Sequence, residues 1–427
     1  MKILIVSDLY PPFYDGGYEI NCRDTVEALM KRGHDVTVLT SSWGLKRKSI
    51  QGNVSRLLDF DPAYLDHRFQ RVPKLFAFCV KRYLQFYRML ISYKNYDVTR
   101  KIISQIRPNA VFFWRLGHVT LSPALAAQDA GFKMFFRIED YSFAQAKQLS
   151  EEKSFFLKRW YRSLMAGKGD FKKLGQKNLL VISGIIKEYY VNCGFSESDI
   201  EVLSCGLPAQ FLRDQHSNRD HLFSGKRGQI RLVFVGRLEP EKGPDVAIKA
   251  VAKLKKEIAY PAISLDIIGQ GNPSYLKFLE QLAARFGVDE QVKFMGRMNQ
   301  NEILERFQFY DALLFTSRYQ EPFGRVVIEG MAQGLPVIAA KSGAIPEIIT
   351  NFENGVLVLP DNPDDLADAI EELIANPDSA TRISQNAFAA VLERYTIDQI
   401  AARLEEYILR LTRPRINILK DANLNKV

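Results

Sequence analysis

Lys2-Ile3-Leu4-Ile5-Val6 opens the chain as a short apolar run, stopped by Ser7-Asp8 and by a turn through Pro11, Pro12, Gly16 and Gly17. It reads as a buried parallel strand. A helix to about Arg32 and a second strand over Asp35 to Thr40 follow, which makes a βαβ unit and the start of a Rossmann-like half. Apolar runs at Ala110 to Phe113, Lys133 to Arg137 and Leu179 to Ile182 alternate with helical stretches and extend the sheet. Residues 1–207 are therefore expected to form a first α/β domain.

Between Pro208 and Gly228 the apolar pattern lapses into Arg213-Asp214-Gln215-His216-Ser217-Asn218-Arg219-Asp220, which reads as linker or surface loop. A second α/β series, residues 229–393, then begins. Its strands are expected at Arg231 to Val235, Ser264 to Ile268, Gln291 to Met295, Ala312 to Phe315, Pro336 to Ala339 and Val356 to Leu359, with only helices after about Pro363. Residues 394–427 are expected as a C-terminal helix packing back on the first domain, with a tail from Arg413 that lacks helical periodicity. Two doubly wound domains would face each other across a cleft at the carboxyl ends of both sheets.

Length and composition agree with that division: 427 residues exceed what one core usually supports, and 47% apolar content is that of a globular protein. The apolar run at the start is too short for a signal peptide, and no stretch approaches the roughly 18 apolar residues of a membrane span. A cytoplasmic protein is expected. Cys22, Cys79, Cys193 and Cys205 form no CxxC pair and no metal-ligand spacing with the histidines. The net charge of +9 is uneven: Ser41 to Ala110 is rich in Lys and Arg and holds only the acids Asp59, Asp61, Asp66 and Asp97. Something anionic suits that side.

The densest chemical signal is Glu321-Pro322-Phe323-Gly324-Arg325-Val326-Val327-Ile328-Glu329, placed after a strand and opening a helix near Gly324. A helix N-terminus presents free amides and a positive dipole end to a diphosphate, and Gly324 lets backbone approach closely. The flanking carboxylates, Glu321 in the loop and Glu329 in the second turn, can accept hydrogen bonds from a sugar and a ribose. On spacing alone, two such glutamates are more often solvated charges. Upstream, Gly236-Arg237-Leu238-Glu239-Pro240-Glu241-Lys242-Gly243 forms another strand-loop-helix junction with two cations. Fixed cations stabilise the negative charge that grows on a departing nucleoside diphosphate. The competing reading is an exposed loop in which Glu239 and Glu241 pair with those cations.

Glu321 and Glu329 with seven residues between them, the Gly-Arg-Leu-x-x-x-Lys-Gly stretch, and Gly334 to Ala339 with Gly343-Ala344-Ile345-Pro346-Glu347 resemble the C-terminal signature of family 4 retaining glycosyltransferases, the glycosyl transferases group 1 of GT-B fold. Pro11-Pro12, Gly16-Gly17, Val181-Ile182-Ser183 and Leu203 to Gly206 resemble weaker segments of the N-terminal half. The resemblance implies a GT-B fold and metal-free transfer of a sugar from a nucleoside-diphosphate sugar, with anomeric configuration kept and no tightly bound cofactor. It implies that Arg237 and Lys242 hold the diphosphate, Glu321 the donor sugar and Glu329 the ribose, with the amides of Phe323 to Val326 facing the phosphates. No DxD stands in the expected place, and two side-chain cations can do the neutralising that Mg²⁺ does elsewhere. A hexose or N-acetylhexosamine, moved to a glycan or lipid-linked acceptor in cell-surface polysaccharide or glycolipid synthesis, is the broad expectation.

Two departures stand out. Where relatives carry His-Asp, this chain has Glu139-Asp140, so the usual donor-sugar contact is replaced by a carboxylate able to act as base or to stabilise a cationic transition state. Cys205 stands where Asn often precedes Gly206. His118, before an expected helix, can reach the cleft beside Gly16, Gly17 and Asp140 on the acceptor side, although a lone histidine is more often structural. From Arg68 to Arg107 cations alternate with aromatic residues, and a second basic stretch runs from Lys153 to Lys177. A basic helix with an aromatic face suits peripheral contact with the inner face of a membrane; packing of the aromatics on the sheet is the favoured alternative. A nucleotide-sugar epimerase of the same architecture and a non-catalytic anionic-ligand binder remain as other function classes. A dehydrogenase lacks its Gly-x-Gly-x-x-Gly turn, and no nucleic-acid-binding motif accompanies the charge.

Overall fold

The computed structural model describes residues 1–14, 16–61, 74–145, 174–175, 178–213, 222–223, 229–256 and 262–412, with backbone alone over 74–86. Two sheets organise it. The first joins β1 (Lys2–Ser7), β2 (Asp35–Ser41), β3 (Ser49–Gln51), β4 (Val54–Leu58), β5 (Ala110–Arg115), β6 (Met134–Ile138), β7 (Asn178–Val181) and β8 (Ile200–Val202) in the order β3-β4-β2-β1-β5-β6-β7-β8. All neighbours are parallel except β3 and β4. The second joins β9 (Gln229–Val235), β10 (Ala262–Ile268), β11 (Val292–Gly296), β12 (Ala312–Phe315), β13 (Val337–Ala340) and β14 (Val356–Val358) in the order β11-β10-β9-β12-β13-β14, all parallel.

The central strands are apolar throughout because both faces are covered: Ile3, Leu4, Ile5 and Val6 are all buried, as are Leu232, Val233 and Phe234 in β9. Strand order reverses between β1 and β5 in the first sheet and between β9 and β12 in the second. A crevice opens at the carboxyl ends of strands where such a reversal occurs. The loops after β1, β5, β9 and β12 are thus the positions where each domain can hold a ligand.

The strands read from sequence lie within two residues of those observed. The β3–β4 hairpin and β8 were not foreseen, because each is short and carries polar residues inside its apolar pattern. The expected linker is anchored where it is described. Phe211, Leu222 and Phe223 are buried, and the Phe223 amide donates to Asp311 Oδ1 at 3.1 Å. Residues 214–221 and 224–228 of that segment, the tail from Arg413 and the basic residues from Lys153 to Lys177 lie outside the described residues.

The chain crosses back at Leu207, whose amide donates to Tyr395 O at 2.8 Å while the Ile397 amide donates to Leu207 O at 2.9 Å. Helix Ile397–Thr412 then lays Ile400, Leu404, Tyr407 and Ile408 against Ile3, Ile5, Val26 and Phe135 of the first domain. Each such aliphatic side chain contributes about 1.5–3 kcal/mol on burial, so this helix ties the domains together beside the crossover. In the long helix Lys74–Ile106, Ile91, Tyr96 and Ile103 are buried against the domain, whereas Tyr87 and Tyr93 are exposed. Among the described residues no helix is long and apolar enough to cross a membrane.

Candidate functional site

The loops after β9 and β12 meet because Gly243 allows it. Its φ of +69° is in the left-handed region, and a Cβ there would stand 2.2 Å from Thr316 O. The contact is sealed by Thr316 Oγ1 donating to Gly243 O at 2.8 Å and by the Arg318 amide donating to Glu241 O at 2.8 Å. Arg318 clamps the junction further, reaching Asp245 at 2.8 Å, Asp361 at 2.7 Å and Pro240 O at 2.6 Å.

Closure of these loops brings Lys242 Nζ onto Glu321 Oε1 as a hydrogen-bonded ion pair. Ser317 Oγ donates to the same oxygen at 2.7 Å. The Glu321 backbone is fixed too, since its carbonyl accepts from the Ala344 amide at 2.8 Å and Gly343 packs directly on its peptide. Arg237 behaves otherwise. Its side chain is 64% exposed and pairs with Glu239 at 2.7 Å, with Glu241 at 3.6 Å, as the competing reading of this loop expects. An exposed pair of this kind is worth at most about 1 kcal/mol, so Arg237 can turn to an anion in the crevice at little cost.

Helix Arg325–Ala332 begins at Gly324, whose φ is +92° and which supplies no side-chain cap to the first amides. Phe323 is buried and meets Tyr395 edge-on at 5.9 Å, so the turn into the helix is held from behind. One turn on, Glu329 is buried; its Oε1 accepts from Gln300 Nε2 and Arg325 Nε, each at 3.0 Å. Burial raises its proton affinity above the usual carboxylate range, and Arg325 works against that rise.

The first domain brings its own crevice to the same place. Gly17 lies against Arg325, where a Cβ would be 3.7 Å from Arg325 Cδ, and Gly16 N donates to Glu19 Oε2 at 3.2 Å. Glu19 pairs with Arg115 at 2.9 Å. Asp8, at the end of β1, accepts from the amides of His118 and Val119 at 3.0 and 2.8 Å. The His118 ring stacks on Phe60 with centroids 4.7 Å apart, and burial lowers its proton affinity. His118 is thus held at the crevice of the first sheet by its backbone and its ring together.

Glu139 and Asp140 differ in environment. Glu139 is buried, and its Oε1 accepts from Asn21 Nδ2 and from Arg137 Nε at 3.0 Å; burial raises its proton affinity. Arg137 is gripped in turn by the carbonyls of Leu203 and Ser204. Burial, with Glu139 nearby, pushes the Cys205 thiol up to about 12, so Cys205 stays neutral beside this network. Asp140 is half-buried, with Oδ1 taken by the amide and hydroxyl of Ser142 at 2.9 and 2.5 Å. The next residue spans the cleft: Tyr141 OH donates to Gln320 O at 3.1 Å, and its ring meets Tyr319 edge-on at 6.3 Å. The acidic loop of the first domain therefore abuts the loop that carries Glu321.

Asn21, Ser317, Gln300, Arg318 and Glu347 join this arrangement without having been singled out from sequence as site residues. Glu347 bridges the domains by accepting from the amides of Gly184 and Ile185 at 2.7 and 2.8 Å. Its position within Pro346-Glu347 of the quoted signature was the available signal; single polar residues such as Gln300 carry none. Among the described residues no group of three His, Cys, Asp or Glu side chains is placed to hold a metal ion.

Residues 218–390, which contain Arg237, Lys242, Glu321, Gly324 and Glu329, match the family model of the glycosyl transferases group 1. A glycosyltransferase of Methanocaldococcus jannaschii is 26% identical over 415 residues, covering 94% of this chain and 96% of that protein. The glycogen synthase of Mycobacterium tuberculosis is 25% identical, with 99% of each chain covered. The D-inositol 3-phosphate glycosyltransferase of Streptomyces bingchenggensis is 35% identical over 175 residues, 40% of this chain and 38% of that protein. Among solved structures, Anabaena HepE in complex with UDP and glucose superposes with a TM-score of 0.66 at 20% identity, covering 96% of this chain and 100% of that one. WaaG, a glycosyltransferase involved in lipopolysaccharide biosynthesis, superposes with a TM-score of 0.60 at 18% identity, covering 95% and 99%. The second domain, where the matched motifs converge at the strand-order reversal, is thus similar to the glycosyl transferases group 1, and the whole chain has the GT-B fold of solved glycosyltransferases.

Proposed function

We propose that the chain moves a sugar from a nucleoside-diphosphate sugar to a hydroxyl of a glycan or lipid-linked acceptor, with anomeric configuration retained and without a metal ion. The observation that carries this reading is the meeting of Lys242 with Glu321 beside the uncapped helix start at Gly324. A cation for the diphosphate and a carboxylate for the sugar lie side by side, as a bound sugar nucleotide requires. HepE of the same fold was crystallised with UDP-glucose, which supports a uridine or related donor.

In the proposed reaction the bond from the anomeric carbon to the β-phosphate oxygen breaks, and the acceptor oxygen bonds to the same face of that carbon. The acceptor's proton passes to the departing phosphate oxygen, so no protein nucleophile is needed. Arg237, Lys242 and the first amides of helix Arg325–Ala332 stabilise the charge that grows on the diphosphate. Glu321 orients the donor sugar through its hydroxyls, and Glu329 accepts from the ribose. Glu139, set in the place of a histidine, shapes the acidic loop from within through Arg137 and Asn21, while Asp140 is the more exposed of the two acids. The acceptor enters over Gly16, Gly17 and His118, at the crevice of the first sheet. Exposed Tyr87, Leu90 and Tyr93 lie on helix Lys74–Ile106 beside Arg88 and Lys94, which pair with Asp61 at 3.2 Å and Asp59 at 3.8 Å but keep exposed side chains that suit an anionic membrane carrying a lipid-linked acceptor.

A screen of UDP- and GDP-sugars in EDTA, scored by nucleotide release and by NMR of the new glycosidic bond, tests the reading. Release from at least one donor, with the donor's anomeric configuration in the product, is the expected result. No release from any of them, or an inverted product, would refute it.

A further inference from the structure

The first helix, Gly17–Lys31, turns one polar stripe toward the second domain. Gly17, Asn21 and Asp24 are spaced to lie on one face. The Arg325 stem packs over Gly17, Asn21 reaches Glu139, and Asp24 Oδ2 accepts from Arg325 Nη2 at 2.9 Å. Asp24 is buried, its side chain 1% exposed, and Arg325 is 13% exposed. The same guanidinium donates through Nε to Glu329 Oε1, which also takes Gln300, so Oε1 is saturated and the carboxylate plane is set. Oε2 is the oxygen left to meet a ribose hydroxyl.

We propose that Asp24, on the acceptor-side domain, is a positioning residue for the donor site: it holds Arg325 across the closed cleft, and through Arg325 it orients Glu329, so the ribose pocket is complete only when the domains are shut. This rests on the reading of Glu329 as the ribose contact.

The contact is built to open as well as to close. Asp24 Oδ1 is also held by Arg23 of its own helix, at 2.7 Å, and Arg325 keeps Glu329 in its own domain. Separation of the domains therefore strips neither charge of its last partner, and the large cost of an orphaned buried ion does not arise. Burial works against the Arg325 charge, but the carboxylates of Glu329 and Asp24 outweigh it and hold the guanidinium above the ordinary arginine range, so it stays charged throughout. Its Nη1 is buried without a hydrogen-bond partner, so the fork is turned toward its two carboxylates rather than toward solvent. Arg325 is thus shared between an acid on each side of the cleft.

The test uses the full chain with Asp24→Asn, Asp24→Glu, Arg325→Gln and the Asp24→Asn/Arg325→Gln pair. Since only the closed fraction binds fully, Asp24→Asn is expected to raise KM for the sugar nucleotide about tenfold with kcat within threefold. Asp24→Glu should recover most of that loss, and Asp24→Asn should add less than twofold in the Arg325→Gln background. Small-angle scattering without nucleotide should show a larger radius of gyration for Asp24→Asn than for the parent chain, returning to the parent value at saturating UDP. An unchanged radius would overturn the latch, and a larger radius with an unchanged KM would overturn its link to the ribose pocket. If the parent chain binds neither UDP nor GDP, the donor reading fails on its own, while scattering without nucleotide still decides the latch.

Discussion

Gly343→Ala puts the geometry around Glu321 to a quantitative test. At Gly343 φ is +55°, and an added Cβ would lie 2.2 Å from Glu321 O, 2.3 Å from Glu321 N and 2.8 Å from the Gln320 carbonyl carbon. All three are backbone atoms, so no rotamer relieves the clash. Ordinary contact begins near 3.4 Å, which demands about 1 Å of movement in the peptide that carries Glu321. A displacement of about 1 Å at a positioning group can cost about 100-fold in rate, or about 2.7 kcal/mol of transition-state stabilisation. The left-handed conformation adds about 1–2 kcal/mol of strain for alanine, lowering Tm by about 2–4 °C per kcal/mol in a domain of this size. Gly287→Ala is the matched control: its φ is +68° and nothing lies within 4 Å of the added Cβ, so it carries the strain without the clash. Initial rates with the preferred donor, alongside thermal melts, separate the two effects. The reasoning is refuted if Gly343→Ala keeps kcat/KM within threefold of the parent, or if Gly287→Ala loses as much activity.

Glu321→Ala and Lys242→Ala should each lower kcat by about 10²–10³, the range seen when a transition-state charge contact is lost, with far-ultraviolet circular dichroism unchanged; full activity in both contradicts the donor site. Nucleotide affinity should fall as pH drops through the raised Glu329 value, beginning above the ordinary glutamate pKa of about 4.3, because the ionised carboxylate is the stronger acceptor for ribose hydroxyls. The same burial makes Glu329's contribution to stability decline as pH rises through that value, so affinity and stability should run in opposite directions; Glu329→Gln should flatten the affinity profile, and calorimetric titration from the ordinary glutamate range up to neutral pH would show whether it does. Vesicles rich in anionic lipid should sediment the chain at low salt and release it at high salt, and Arg88→Glu/Lys94→Glu should weaken that binding; salt-independent sedimentation, or none, counts against the membrane surface.

Much of the fold was legible because parallel strands buried on both faces leave continuous apolar runs, and β1, β9, β12 and β13 all have them. The hairpin β3–β4 and strand β8 have three to five residues and mixed polarity, too little for periodicity to register. Lys242, Glu321, Gly324 and Glu329 could be singled out as candidates because the positions around a loop-to-helix junction are local in sequence. Partners brought in by long-range packing could not. Asp24 and Arg325 are separated by 301 positions, and Gly184 and Glu347 by 163. Their meeting is fixed by how the domains dock, which no window of sequence contains. Glu139 illustrates the same limit: its type was visible, but its burial between Asn21 and Arg137 was not.

The decisive property is the grip of the paired cations, Arg237 and Lys242, on a nucleoside diphosphate without metal. Calorimetric titration of UDP, GDP and their sugars in EDTA, into the parent chain and into Arg237→Ala/Lys242→Ala, measures this. At least one nucleotide should bind the parent chain, and the double variant should bind it at least 100-fold more weakly, about 2.7 kcal/mol. Binding of none of them by the parent, or equal binding by both proteins, would contradict the claim.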